Sequence, residues 1–329
     1  MSAERLGKTI CLQKRCDNGS LSLGIHGKIA EPVEASLSLR SLMILIIGAN
    51  GQLGRQMQKA LTARGLEYAA YDYPEIDITQ QDSVRGLIDT IKPRVVVNCA
   101  AYTNVDKAEA DEDTAYRVNA LGPKYLAQAC ADADAELVHI STDYVFSGDA
   151  PMQDGQRRPY VEDDICGPVT AYGRTKLAGE QFVRQYCDRL YLLRTAWLYG
   201  DGHNFVRTML RLAETKDEIS VVNDQIGSPT STVDLAETIC ALLGTGAYGL
   251  YHATCEGHCS WHDFAVKIFE LSGKNVRVLP ITTEEYSRNY PGAAPRPKWS
   301  VLENAALKTA GKNLFRSWED ALREYLREI

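Results

Sequence analysis

The sequence predicts an α/β protein, a Rossmann-type doubly wound parallel sheet with a smaller C-terminal substrate-binding lobe. Three observations carry this expectation. From Met43 onward, short apolar runs alternate with segments of helical periodicity, the pattern of parallel strands joined by crossover helices. Gly48-Ala49-Asn50-Gly51-Gln52-Leu53-Gly54 sets glycines three apart between the first strand and the first helix. The polar motifs then fall at the carboxyl ends of successive strands, where open sheets of this kind bind ligands.

Residues 1–42 mix Gly, Ser, Pro and scattered charge without periodicity, and read as a disordered N-terminal extension. Glu4, Asp17, Glu31 and Glu34 disfavour a transit peptide. Residues 43–47 form a strand, 52–64 a helix closed by Gly65, and 67–71 a second strand. In 83–92, Val84, Leu87, Ile88 and Ile91 share one helical face, and 94–98 returns as a strand. Residues 113–132 are expected as one helix, 136–141 as a strand, 171–186 as a helix and 190–194 as a strand. Beyond about residue 200 the alternation loosens, with helices at 204–214, 232–243 and 261–271 among short strands. Residues 43–200 are therefore expected to form the dinucleotide-binding domain. Residues 201–329 form mainly the substrate-binding lobe, with segments returning to the main sheet.

A net charge of -7 and a pI near 5.5 argue against a nucleic-acid partner. No apolar run reaches the roughly 18 residues of a membrane span. Nine cysteines without framework spacing suit a reducing cytoplasm. The local group His252, Cys255, His258, Cys259 and His262 matches no common zinc spacing, so the residues themselves give no metal site.

The glycine loop is read as a cofactor site. Glycine permits the tight turn and the close approach of backbone to a pyrophosphate. Amides of Gly48, Asn50, Gly51, Gln52, Leu53 and Gly54, at a helix N-terminus, then hold the phosphates. Asp72 ends the second strand, where a carboxylate accepts ribose hydroxyls and repels a 2′-phosphate; this leans toward NADH over NADPH. Asp77 and Ile78 are candidates to flank the adenine. Ala100, Ala101 and Tyr102 follow the third strand and complete the set.

Tyr172 and Lys176 are four apart on the helix 171–186 and share one face. A cation beside a tyrosine favours the phenolate and draws its pKa from ~10 toward the working range. The pair is then expected to move a proton during reduction of a carbonyl, with Thr142 holding the carbonyl oxygen.

With these motifs in this order, the chain resembles the extended short-chain dehydrogenase/reductases, and within them the dTDP-4-dehydrorhamnose reductases. The strings that carry the resemblance are G-A-N-G-Q-L-G (48–54), N-C-A-A-Y-T-N-V-D-K-A-E (98–109), S-T-D-Y-V-F (141–146), Y-G-R-T-K (172–176), R-T-A-W-L-Y-G (194–200), D-Q-I-G-S-P-T (224–230) and R-P-K-W-S (296–300). The resemblance implies a catalytic triad of Thr142, Tyr172 and Lys176. It also implies NADH or NADPH as reductant, with Tyr172 and Lys176 touching the cofactor, and a dTDP-linked deoxysugar as substrate. Thr103, Val105, Thr142, Asp143, Tyr144 and Trp197 would surround the sugar, although Trp197 also fits core packing. Arg207, Arg211, Arg296 and Lys298 are candidates for the diphosphate. Some members of the family bind Mg2+ at a dimer interface, so a magnesium ion and a homodimer stay open.

There are departures from the family pattern. Ser147-Gly148 stands where Asp-Gly is common, and the loop 148–159 is long and polar. The 42-residue extension has no counterpart. The segment around residue 255 follows the family form Y-H-x-x-x-x-G-x-x-S-W, which weakens a zinc reading further. Rival readings are another nucleotide-sugar reductase, a 4-epimerase, and a non-catalytic regulatory subunit resembling the methionine adenosyltransferase beta subunit. A dehydratase would carry Glu after the aspartate; here Tyr144 follows Asp143.

Overall fold

The computed structural model describes residues 43–329, so the expected N-terminal extension lies outside the described residues. The main sheet has six strands, all parallel: β1 (Ile44–Ile47), β2 (Tyr68–Tyr71), β3 (Val95–Asn98), β4 (Glu136–Thr142), β5 (Leu190–Thr195) and β6 (Gly249–His252). Their spatial order is β6-β5-β4-β3-β1-β2. The order reverses between β1 and β3, and the crevice at such a switch point is where doubly wound sheets bind ligands.

Alternation along each strand divides the core in two. Ile44 and Ile46 of β1, Val95 and Val97 of β3, Val138 of β4 and Tyr191 and Leu193 of β5 face one side. There they meet Leu53, Met57 and Leu61 of α1 (Gln52–Ala63) and Leu235 and Ile239 of the helix Thr232–Leu242. Leu45, Ile47, Val96, Leu137 and Leu192 face the other side. They pack against Val84 and Ile88 of α2 (Gln81–Ile91), Leu126 and Cys130 of α3 (Gly122–Asp132) and Val183 of α4 (Ala171–Tyr186). Both faces are apolar because both are covered, as parallel sheets require.

Residues past 200 add small sheets, among them the parallel pair Glu218–Val222 and Arg277–Ile281, and the helices Phe205–Leu212, Trp261–Ser272 and Trp318–Glu328. Strand β6 comes from this part of the chain yet forms the edge of the main sheet.

One expectation needs refining. Residues 113–132 are helical throughout, as expected, but not regularly so: Glu112–Tyr116 passes through a π turn at Arg117–Leu121 into α3. Pro123, in the first turn of α3, has no N–H for the carbonyl of Asn119, so the regular ladder cannot pass through. Within the long polar loop 148–159, Met152–Gln153 and Gln156–Arg157 pair as a short antiparallel hairpin. The short helix Val105–Ala110, capped by Asn104, was not foreseen.

Candidate active site

The glycine loop turns sharply at Gly48, whose φ is 79°. Behind it, a Cβ on Gly54 would stand 2.1 Å from the Gly48 carbonyl oxygen, so only glycine lets α1 start this close to the turn. A cleft of about 330 Å³ opens in front. Gly48 and Gly51 line it together with Asp72, Asp77, Ile78, Ala100 and Ala101. The carboxylate of Asp72 accepts from the amides of Asn50 and Tyr73, both at 2.7 Å, which fixes it at the rim.

The remaining members of the expected cofactor set sit differently. Leu53 is buried in the core, so only its backbone belongs to the loop. Gln52 meets the side-chain amide of Asn204 at 3.3 Å. Tyr102 is clamped through its backbone by Asn119, which accepts from its N–H at 2.8 Å and donates to its carbonyl at 3.1 Å. Asn119 is wholly buried in the π turn and also reaches Thr175 of α4. Sequence reading passed over Asn119; a lone asparagine within an apolar helical stretch was the available signal. The loop, the helix N-terminus, the acidic rim and the cleft suit a dinucleotide, with the close approach at Gly54 as the feature that excludes a side chain.

Thr142 ends β4 and Tyr172 begins the second position of α4. Their hydroxyls lie close enough for Thr142 to act on the ionisation of the phenol. This depends on Gly173, where a Cβ would lie 2.2 Å from the Tyr144 carbonyl oxygen. Gly173→Ala is expected to push α4 off the turn Asp143–Val145, with a stability loss of about 1–3 kcal/mol and a larger loss of kcat. Urea unfolding and steady-state kinetics on the same variant check this.

Lys176 is buried, and its Nζ donates to the Ile140 carbonyl at 2.6 Å. Burial draws its pKa down to about 8, with Glu180 acting in the opposite direction. Tyr172 departs from expectation. Burial raises its pKa, the neighbouring Thr142 hydroxyl counters this, and Asp143 adds to the rise. The ammonium of Lys176 is bound to the Ile140 carbonyl, so the phenol stays protonated, as a proton donor should be.

Below this triad lies an ionic knot that sequence reading missed. Arg194 of β5 donates from Nε and Nη2 to Glu180 of α4 at 2.9 and 2.7 Å. Ser141 of β4 donates to the same carboxylate at 2.5 Å. Two strands and the triad helix are thereby tied at one buried point.

Around the triad, the Tyr144 ring packs edge-on against Tyr172 at 5.4 Å. Asp143 is buried with one oxygen at 2.8 Å from the Thr142 hydroxyl. Thr103 is exposed, and Val105 starts the helix Val105–Ala110. Trp197 adopts a left-handed φ of 47° and stacks on Trp261 at 3.6 Å. Of the four candidate cations, Arg296 is paired with Asp106 at 2.9 Å. Arg207 donates to the Tyr325 hydroxyl at 3.0 Å, near the Gln52 end of the glycine loop. Arg211 and Lys298 are exposed. Among the described residues, no group of three or more His, Cys, Asp or Glu side chains is placed to hold a metal ion, and no helix is long and apolar enough to cross a membrane.

Fold and site together define an NAD(P)-dependent oxidoreductase of the short-chain dehydrogenase/reductase class. The chain belongs to the RmlD substrate binding domain family, whose model matches residues 42–329. It is 44% identical to the spore coat polysaccharide biosynthesis protein SpsK of Bacillus subtilis over 87% of this chain and 97% of that protein. Among solved structures, a dTDP-4-dehydrorhamnose reductase of Clostridium acetobutylicum superposes with a TM-score of 0.83 at 49% identity, covering 87% of this chain and 99% of that one. The dTDP-4-dehydrorhamnose reductase of Bacillus anthracis in complex with NADP gives 0.82 at 42% identity, covering 88% and 99%.

Proposed function

We propose that the protein reduces the C4 keto group of dTDP-4-dehydro-L-rhamnose with NADH or NADPH, giving dTDP-L-rhamnose. The observation that carries this is the pair of facing hydroxyls, Tyr172 and Thr142, at the carboxyl end of β4, with Lys176 one turn along α4. The names of the similar reductases supply the sugar. In this reading residues 43–200 hold the dinucleotide and most of 201–329 close over the substrate.

When bound, the dinucleotide supplies hydride to C4. Tyr172 donates its phenolic proton to the oxygen that was the keto oxygen, which it can do because burial keeps it protonated. Thr142 holds that oxygen by a hydrogen bond. Lys176, fixed by the Ile140 carbonyl, would set a positive charge beside the nicotinamide ribose of a bound dinucleotide. Tyr144 packs against Tyr172 and offers no carboxylate base, in keeping with reduction over elimination.

Incubation of the purified chain with the keto-sugar tests the assignment. Loss of NADH or NADPH absorbance only when the sugar is present supports it; no loss with either reductant contradicts it. Lys176 carries its charge below about pH 8 and loses it above. The affinity for reduced dinucleotide is therefore expected to weaken as pH rises past 8, as fluorescence titration at several pH values would show.

A further inference from the structure

A threonine hydroxyl has one proton and two lone pairs, and at Thr142 each has a visible partner. Its Oγ1 receives the Tyr144 amide at 3.2 Å, stands 2.8 Å from Asp143 Oδ1, and faces the Tyr172 hydroxyl on its remaining side. The state of Asp143 then decides which way the Thr142 proton points. An ionised carboxylate can only accept, so it takes the proton and leaves a lone pair facing Tyr172 and the reacting oxygen. A neutral carboxyl donates instead: its proton and the Tyr144 amide fill both lone pairs of Thr142, and the threonine proton is free for the reacting oxygen.

We propose that a protonated Asp143 orients the Thr142 hydroxyl toward the reacting oxygen, which makes Asp143 a positioning residue for the reduction. This rests on the functional reading above. Asp143 is only 4% exposed, and its Oδ2 makes no hydrogen bond of acceptable geometry. A buried carboxylate with an unpartnered oxygen favours the neutral form.

The surroundings agree. Among the described residues no ion pair involves Asp143. Tyr172 faces the turn from α4, Tyr144 lies on the turn itself, and Ser300 comes from the strand Trp299–Ser300, while Lys176 is tethered to the Ile140 carbonyl. Arg296 and Asp106, whose charges act on the neighbouring Tyr144, are paired with each other. Burial pushes the Asp143 carboxyl up to about 6, against the hydroxyls of Ser300 and Thr142. Substrate and cofactor filling the cleft withdraw more solvent and raise it further.

The test compares the full-length protein with Asp143→Asn at saturating sugar and NADPH from about pH 5 to pH 9, a span that brackets both titrations. The native kcat should decline in two limbs, the first set by Asp143 and the second by Lys176 near 8. The variant should lose the first limb and keep the second, whatever its absolute rate. Its rate relative to the native protein then climbs by up to about tenfold per pH unit across the first limb. Infrared difference spectra of the ligand-free protein supply a readout without turnover: a carboxylic-acid C=O stretch present at low pH and absent from Asp143→Asn. Parallel profiles for the two proteins, or no such band, would overturn the proposal. Failure of the functional reading is distinct, since it shows as no dinucleotide oxidation at any pH, and the infrared band then still decides the state of Asp143.

Discussion

Replacing Tyr172 by phenylalanine should lower kcat about a hundred- to ten-thousandfold, the range for loss of a positioned general acid, with little change in the KM for the sugar. The ring packs edge-on against Tyr144, and phenylalanine retains that contact. The hydroxyl lies in a buried site beside Thr142, so its removal leaves the threonine with the Tyr144 amide and Asp143 as its partners and disturbs no backbone. The melting temperature should therefore stay close to that of the native protein. A loss of kcat with an intact fold places the effect on the proton transfer. Equal turnover in the phenylalanine variant would mean that the proton comes from elsewhere.

The second large effect concerns stability. Arg194 and Glu180 have side chains only 3% and 2% exposed, and removing one partner of a buried pair typically costs about 3–5 kcal/mol. Arg194→Met is expected to fall in that range. It leaves Glu180 with Ser141 as its bonded donor, and removes contacts with the Glu162 carbonyl and the Phe146 ring. The double variant Arg194→Met/Glu180→Leu should recover much of the loss, because an apolar pair avoids stranding a charge. Urea unfolding of the two single variants and the double variant gives the coupling energy directly. Full additivity would show that the knot contributes nothing as a unit.

Much of the fold was legible because its signals are local. Strands β1 and β3 are runs of Ile, Leu and Val closed by glycine or asparagine, and α1 starts directly after Gly51, the second of the three spaced glycines. The helix Ala171–Tyr186 showed its chemistry through the four-residue spacing of Tyr172 and Lys176. What stayed hidden depends on partners far apart in the chain. Asn119 acquires its role only when Tyr102 and Thr175 are brought to it, and Glu180 only when Arg194 and Ser141 converge. The direction of the Tyr172 shift was misjudged for the same reason. Spacing put a cation one turn away, but it could not show the depth of burial or that Ile140 takes the ammonium.

The most direct test of the account follows deuterium from reductant to sugar. With NADH or NADPH carrying deuterium at C4 of the nicotinamide, on the transferable face, turnover of dTDP-4-dehydro-L-rhamnose should place one deuterium at C4 of the product rhamnose and consume one reduced dinucleotide per sugar. Product without deuterium, or sugar conversion with no net oxidation of the dinucleotide, would contradict a terminal reduction.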